Sequence, residues 1–162
     1  MADTLAELEA IYRARYAAFV RVAHAIVGQE QSARDVVHDG FVLAVRNRDR
    51  LRDERAVEPW VWRIVVNEAR KRRRRESRFA EGESLHMASP APAEPDDHVR
   101  DLISGLPERQ RLALFLRYYA DLDYSSIALA LGIKPGTVAA TLNAAHRALK
   151  TELEAEPCPL RI

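Results

Sequence analysis

Between Asp123 and Lys150 the chain reads DYSSIALALGIKPGTVAATLNAAHRALK, and its punctuation leaves little conformational freedom. Asp123 precedes an apolar run through Ile127, Ala128 and Leu131, as a capping carboxylate precedes a helix. Gly132 stops that run and Ile133 plugs the turn. Pro135 and Gly136 then open a second run with an apolar seam at Val138, Leu142, Ala145 and Leu149. A short helix, a glycine-bearing turn of three or four residues and a second helix is helix-turn-helix spacing.

The rest of the chain is helical by the same test. No stretch alternates apolar and polar residues for long, and apolar residues recur at helical spacing instead. Leu5, Leu8, Tyr12, Tyr16, Phe19, Ala23 and Ile26 form one stripe, closed by Gly28. Ser32 with Asp35 resembles a capping box for a helix carrying Val36, Val37, Gly40, Phe41, Ala44 and Val45. After the charged, turn-like segment 47–59, Pro59 suits the first turn of a helix reading WVWRIVVNEARKRRRR. Two residues apart, Trp60 and Trp62 cannot share a helix face, so one belongs to the core and the other to the surface at the helix start. Pro107 starts a helix with Leu112, Phe115, Leu116 and Tyr119 on its buried side.

These signals predict an all-α fold of two small helical domains joined by a flexible linker, the second domain containing the helix-turn-helix. Residues 1–78 form the first domain, and 79–98, acidic and bearing three prolines, form the linker. Residues 99–155 form the second domain, followed by a tail over 156–162. Each domain is near the size at which a lone core barely suffices, so both would gain from docking onto something larger.

Charge is divided unevenly. Residues 1–80 carry a net +5 and residues 81–162 a net −4, together the +1 of the whole chain. Six consecutive cations occupy 70–75, beside the tryptophans. Cations next to aromatics suit nucleic acid, since arginines hold phosphates while aromatic faces stack on exposed bases.

Other classes fit poorly. The five histidines show no metal-ligand spacing and Cys158 has no cysteine partner, so neither a metal nor a disulfide is expected. No glycine-rich phosphate loop or nucleophile elbow appears, so no cofactor and no enzyme is expected. No apolar run reaches membrane-spanning length and the N-terminus is acidic, which predicts a cytoplasmic protein without membrane contact.

Three segments together resemble a known family. SARDVVHDGFVLAVR (32–46) is similar to A-x-D-L-V-Q-E-x-F-x-x-A through Ala33, Asp35, Val37, Phe41 and Ala44, with Asp39 in place of the acid. WVWRIVVNEARKRRR resembles W-L-x-x-I-A-x-N-x-x-x-D-x-x-R through Trp60, Ile64, Asn67 and the arginines. Residues 106–138 follow L-P-x-x-x-R, L-R-Y, Y-x-x-I-A-x-x-L-G-I and P-G-T-V in order. The chain thus resembles the extracytoplasmic-function sigma factors of bacterial RNA polymerase over most of its length.

That resemblance implies promoter-specific transcription initiation with core RNA polymerase as partner. It places polymerase docking on Asp35, His38, Asp39 and Arg46. It places recognition of single-stranded −10 DNA on Trp60, Arg63, Asn67, Arg70, Arg72 and Arg73, with Asn67 bracing the base-capturing loop 47–59. Double-stranded −35 DNA falls to Lys134, Thr137, Ala140, Thr141, Asn143 and Arg147, with Arg117 and Lys150 also available to phosphates. Many members of the group are restrained by an anti-sigma factor, which makes such a partner plausible here, although no residue identifies it.

One departure stands out. Where the family carries Lys or Arg, this chain has Ala139, Thr141, Ala144 and His146. Losing four phosphate-contacting cations would lower the salt slope of DNA binding by up to about three to four units. Three readings follow: soft major-groove reading by Ala140, Thr141 and Asn143, a domain that binds mainly protein, or drift in a domain kept for its fold. A sigma-derived DNA-binding regulator and a protein-interaction module are the alternative functions.

Overall fold

The computed structural model of the chain describes residues 3–79 and 97–155, and among these it contains helices and no strand. The first unit comprises α1 (Thr4–Val27), α2 (Glu30–Arg46), two short 3-10 turns (Arg48–Arg50 and Glu54–Ala56) and α3 (Val57–Phe79). The second comprises α4 (Asp97–Ser104), α5 (Glu108–Tyr118), α6 (Tyr124–Leu131) and α7 (Pro135–Ala155). Helix α3 runs one residue beyond the expected boundary at 78, and α4 begins within the expected linker. The remainder of that linker and the tail with Cys158 lie outside the described residues. Among the described residues no single helix is long and apolar enough to cross a membrane.

Local chemistry sets most boundaries. Asp3 caps α1 by accepting from the Leu5 amide at 3.1 Å. Gly28 ends α1 at φ 82°, a left-handed conformation that costs glycine nothing. The expected capping box at Ser32 does not form. Helix α2 starts three residues earlier, with Gln29 in the cap position, and Ser32 is buried inside it. Its hydroxyl donates instead to Glu76 Oε1 of α3 at 3.1 Å, a long-range partner that the local pattern cannot reveal.

The core of the first unit is aromatic. Trp62 is fully buried and stacks on Phe19 with ring centroids 3.8 Å apart and planes 22° from parallel. Phe41 meets Phe19 edge-on at 5.1 Å and Tyr12 at 4.9 Å, which ties α1, α2 and α3 together. The Trp62 indole N–H donates to Glu58 Oε1 at 3.3 Å, and Arg15 Nε donates to the same oxygen at 2.9 Å. Trp60 is the half-exposed member of the pair, as the spacing requires. Leu5, expected in the stripe, is instead 46% exposed at the start of α1.

In the second unit Asp123 caps α6, accepting from the Ser126 amide at 2.7 Å. These hydrogen bonds hold the Asp123 carboxyl below its ordinary pKa. Gly132, at φ 67°, ends α6, and the Ile133 amide donates back to the Ala128 carbonyl at 3.0 Å. Val138, Leu142 and Ala145 bury the inner face of α7. Tyr119 does not join the buried side of α5: it follows the last helical residue and is 42% exposed, stacked on Phe115 at 5.2 Å.

The two units dock onto each other. Helix α6 packs against α3, and α5 approaches α1. Arg73 Nη1 lies 3.3 Å and Arg70 Nε 3.9 Å from Glu108 Oε1, and the Arg21 guanidinium sits 5.0 Å over the Tyr119 ring.

Two positions in this packing have predictable effects on stability. A Cβ on Gly40 of α2 would lie 2.8 Å from Val65 Cγ2 of α3. Gly40→Ala should therefore destabilise by about 1 kcal/mol in urea unfolding, as overpacking outweighs the gain in helix propensity. In a Val65→Ala background the same change should become neutral or stabilising. Asp123→Ala should cost about 1 kcal/mol at neutral pH through loss of the cap. Because the folded pKa of Asp123 is depressed, its contribution is complete above the unfolded carboxyl range and fades as pH falls through the folded value. The variant should therefore lose less stability than the parent on acidification, read by urea unfolding at stepped pH.

Candidate nucleic-acid interface

Asp35, His38, Asp39 and Arg46 lie three, four and eleven residues apart along α2 and share one face, with half-buried Val42 between them. His38, Asp39 and Arg46 are exposed. Asp35 is more restrained: it accepts from Gln31 Nε2 at 3.0 Å and pairs with Arg72 Nη2 at 3.6 Å. Arg72 also donates to Glu76 Oε1 at 3.1 Å, the oxygen that accepts from Ser32. A polar bridge of Ser32, Glu76, Arg72 and Asp35 therefore joins α2 to α3.

Helix α3 divides the six residues expected at the −10 element. Trp60, Arg63 and Asn67 fall along its outer face, the last two exposed. Arg72 turns toward α2 into the bridge just described, while Arg70 and Arg73 turn toward Glu108. Lys71 and Arg74, outside the expected set, are exposed and continue the outer face four and seven residues after Asn67. Helical spacing alone would have chosen them from the run of cations. Among the described residues no hydrogen bond joins Asn67 to the 47–59 loop. Ten residues into α3, Asn67 sits about 15 Å along the axis from the helix start, where the loop ends. The loop is closed locally, by Asp53 accepting from the Arg55 amide at 3.0 Å and the Arg50 amide donating to the Asn47 carbonyl at 2.9 Å.

On α7 the outward row is Gly136, Ala140, Asn143, Arg147 and Lys150, all exposed, with Lys134 exposed in the preceding turn and Thr137 half-buried beside it. Thr141 is elsewhere: it is buried, and its hydroxyl donates to the Thr137 carbonyl at 2.7 Å. A short β-branched hydroxyl satisfies itself on the preceding turn when it points inward. Arg117 is likewise committed, donating to the Leu122 carbonyl at 3.0 Å with its guanidinium 5.7 Å from the Tyr124 ring centroid. His146 bonds the Tyr118 hydroxyl across 2.8 Å. No group of His, Cys, Asp and Glu among the described residues is placed to hold a metal ion.

Comparison with known proteins places this geometry. Residues 11–79 match the family model "Sigma-70 region 2" and residues 97–151 match "Sigma-70, region 4". The RNA polymerase sigma-H factor of Pseudomonas aeruginosa is 31% identical over 147 residues, covering 79% of this chain and 76% of that protein. The chain belongs to the sigma-70 family. The ECF RNA polymerase sigma factor SigW of Bacillus subtilis is 26% identical over 170 residues, spanning 93% of this chain and 89% of the other. Among solved structures, the sigma factor RpoE in complex with the anti-sigma factor NepR from Bartonella quintana superposes with a TM-score of 0.76. That match is 20% identical, covers 97% of this chain and 100% of the other, and establishes a shared fold. This sigma factor is of the extracytoplasmic-function group and acts in promoter-specific transcription initiation.

The inward and outward sides of α7 can be separated experimentally. Thr141→Val removes a hydroxyl already committed to its own helix and should leave affinity for −35 duplex DNA within about twofold. Arg147→Ala should weaken binding and reduce the salt slope by about one unit. Fluorescence anisotropy across a salt series measures both.

Proposed function

We propose that the sigma factor binds core RNA polymerase through the Asp35, His38, Asp39 and Arg46 face of α2. The two exposed or half-exposed carboxylates suit a basic and apolar surface on the polymerase. Single-stranded −10 DNA lies along the outer face of α3, where Trp60 stacks on an unpaired base and Arg63, Lys71 and Arg74 hold phosphates around Asn67. Binding the single strand favours the open duplex by mass action, so melting needs no chemical step. The observation that carries this reading is that outer face itself: a half-buried aromatic packed at the edge of the core, followed by an amide and three exposed cations at three- and four-residue intervals.

The −35 duplex meets the row of α7. Ala140 contacts a thymine methyl, Asn143 pairs with adenine N6 and N7, and Lys134, Arg147 and Lys150 take phosphates. With so few cations this contact is weak alone, and it gains from being tethered to a chain already held by polymerase. The protein works as a cytoplasmic binding subunit without catalysis of its own. The similar RpoE structure was solved with an anti-sigma factor, which supports an anti-sigma protein as a further partner for this chain.

Run-off transcription with bacterial core polymerase tests the assignment, using promoters randomised separately at the −10 and −35 elements. Selective initiation should appear with the parent chain and disappear with Asp35→Arg/Asp39→Arg. Randomising the −10 element should cost more than randomising the −35 element, and Asn143→Ala should relax preference at one −35 base pair by about 1–3 kcal/mol. Unchanged initiation by the double arginine variant would overturn the docking face.

A further inference from the structure

Helix α3 carries more positive charge than its outer face uses. Arg70 and Arg73 turn away from that face. With Arg74 and Ser77 they line a cleft of about 560 Å³ that also takes in Glu108, the first residue of α5. One Glu108 oxygen lies 3.3 Å from Arg73 Nη1 and 3.9 Å from Arg70 Nε. Arg111 follows one helical turn after Glu108 and borders the same group. Its pKa is lowered by burial and then by the like charge of Arg73, and Glu108 opposes both. Arg111 Nη1 donates to the Ser104 and Leu106 carbonyls, while its Nε is buried with no hydrogen-bond partner among the described residues.

Four arginines against one carboxylate leave this cleft at a net +3. A single phosphate carries about −1.5 to −2 at neutral pH and leaves part of that excess standing. Two linked phosphates carry roughly −3 by the same ionisation, and their outer oxygens suit several guanidinium forks at once. The cleft volume falls within the range of small-molecule sites. The N-terminus of α5 lies at the same place, with Pro107 in the cap position and no side chain capping it. Uncapped first-turn amides favour an anion there.

We propose that the cleft binds the pyrophosphoryl group of a small molecule, held by Arg70, Arg73 and Arg111. Glu108 sets the affinity by competing with the ligand for the same guanidinium groups. Inorganic pyrophosphate and nucleoside di- and triphosphates share this chemistry. RNA synthesis consumes nucleoside triphosphates and releases pyrophosphate, so occupancy of the cleft follows the reaction that a sigma factor initiates. Arg74 belongs both to the cleft and to the outer face of α3, so the bound ligand competes with the −10 strand for it. That consequence alone rests on the −10 reading given above.

Isothermal titration calorimetry of the full chain with sodium pyrophosphate tests the site, at about 0.15 M ionic strength and without divalent cations. One pyrophosphate should bind per chain, at least about tenfold more tightly than sulfate at equal ionic strength. Arg70→Ala and Arg73→Ala should each weaken binding about five- to tenfold. Arg13→Ala removes an exposed charge on α1 and should change it by less than about twofold. Glu108→Gln should tighten binding about three- to tenfold, a gain that a misfolded variant would not give. Adenosine diphosphate separates the sources: tighter binding than pyrophosphate assigns a nucleotide, and equal or weaker binding assigns the inorganic anion. Anisotropy with a single-stranded oligonucleotide should show Arg70→Ala costing DNA less than it costs pyrophosphate. Equal losses would give the cleft to a DNA strand and overturn the proposal. Sulfate binding as tightly as pyrophosphate, or Glu108→Gln binding no tighter than the parent, would overturn it too.

Discussion

Everything exposed on the first unit depends on the stack of Trp62 against Phe19. It fixes the rotation of α3 about its own axis, because a fully buried indole tolerates one orientation. Once Trp62 points inward, Trp60, Arg63, Asn67, Lys71 and Arg74 must point outward, and Arg72 must face α2. The hydrogen bond from the indole to Glu58, shared with Arg15 of α1, satisfies the one polar atom that burial would otherwise strand. Phe41 transmits the same constraint to α2, so the carboxylates of the proposed docking face are positioned by aromatic packing they never touch.

Much of this was legible in the sequence because helical order is local. The Asp123 cap, the Gly132 stop and the apolar seam of α7 are each set by residues within a turn or two, and each appears where the pattern puts it. The division between Trp60 and Trp62 follows from geometry alone. Departures occur where a residue's partner is distant in sequence. Ser32 looks like a cap, whose oxygen would accept from a backbone amide, but inside α2 its hydroxyl donates to the distant Glu76 instead. Thr141 reads as a surface residue if the outward row is taken one position too far round the helix, and its burial shows the phase error. Tyr119 continues the apolar period of α5 one residue past the helix end, where the period no longer applies.

The inter-unit surface was the least legible part. Composition marks two units with small cores, and the expectation that each would seek a larger partner was sound in its physics. The partner in this structure is the other unit. Nothing in Arg70, Arg73 or Glu108 separately distinguishes a phosphate contact from an ion pair, since a carboxylate and a phosphate oxygen satisfy a guanidinium in the same way. The choice between them is one of competition, and only the three-dimensional arrangement shows that both claims fall on the same side chains.

The inward turn of Thr141 also bears on how such a protein changes its targets. With Thr141 closed upon its own helix, and with Ala139 and Ala144 half-covered, the vocabulary that α7 offers to the proposed −35 groove shrinks to Ala140, Asn143 and Arg147. Three addresses set in a helix whose core seam is untouched by them form a small, separable code. If α7 reads the −35 duplex as proposed, substitutions there would rewrite promoter preference without disturbing the fold, so retargeting would be a short walk through sequence space, for divergence between paralogues or for a designer seeking insulated promoters.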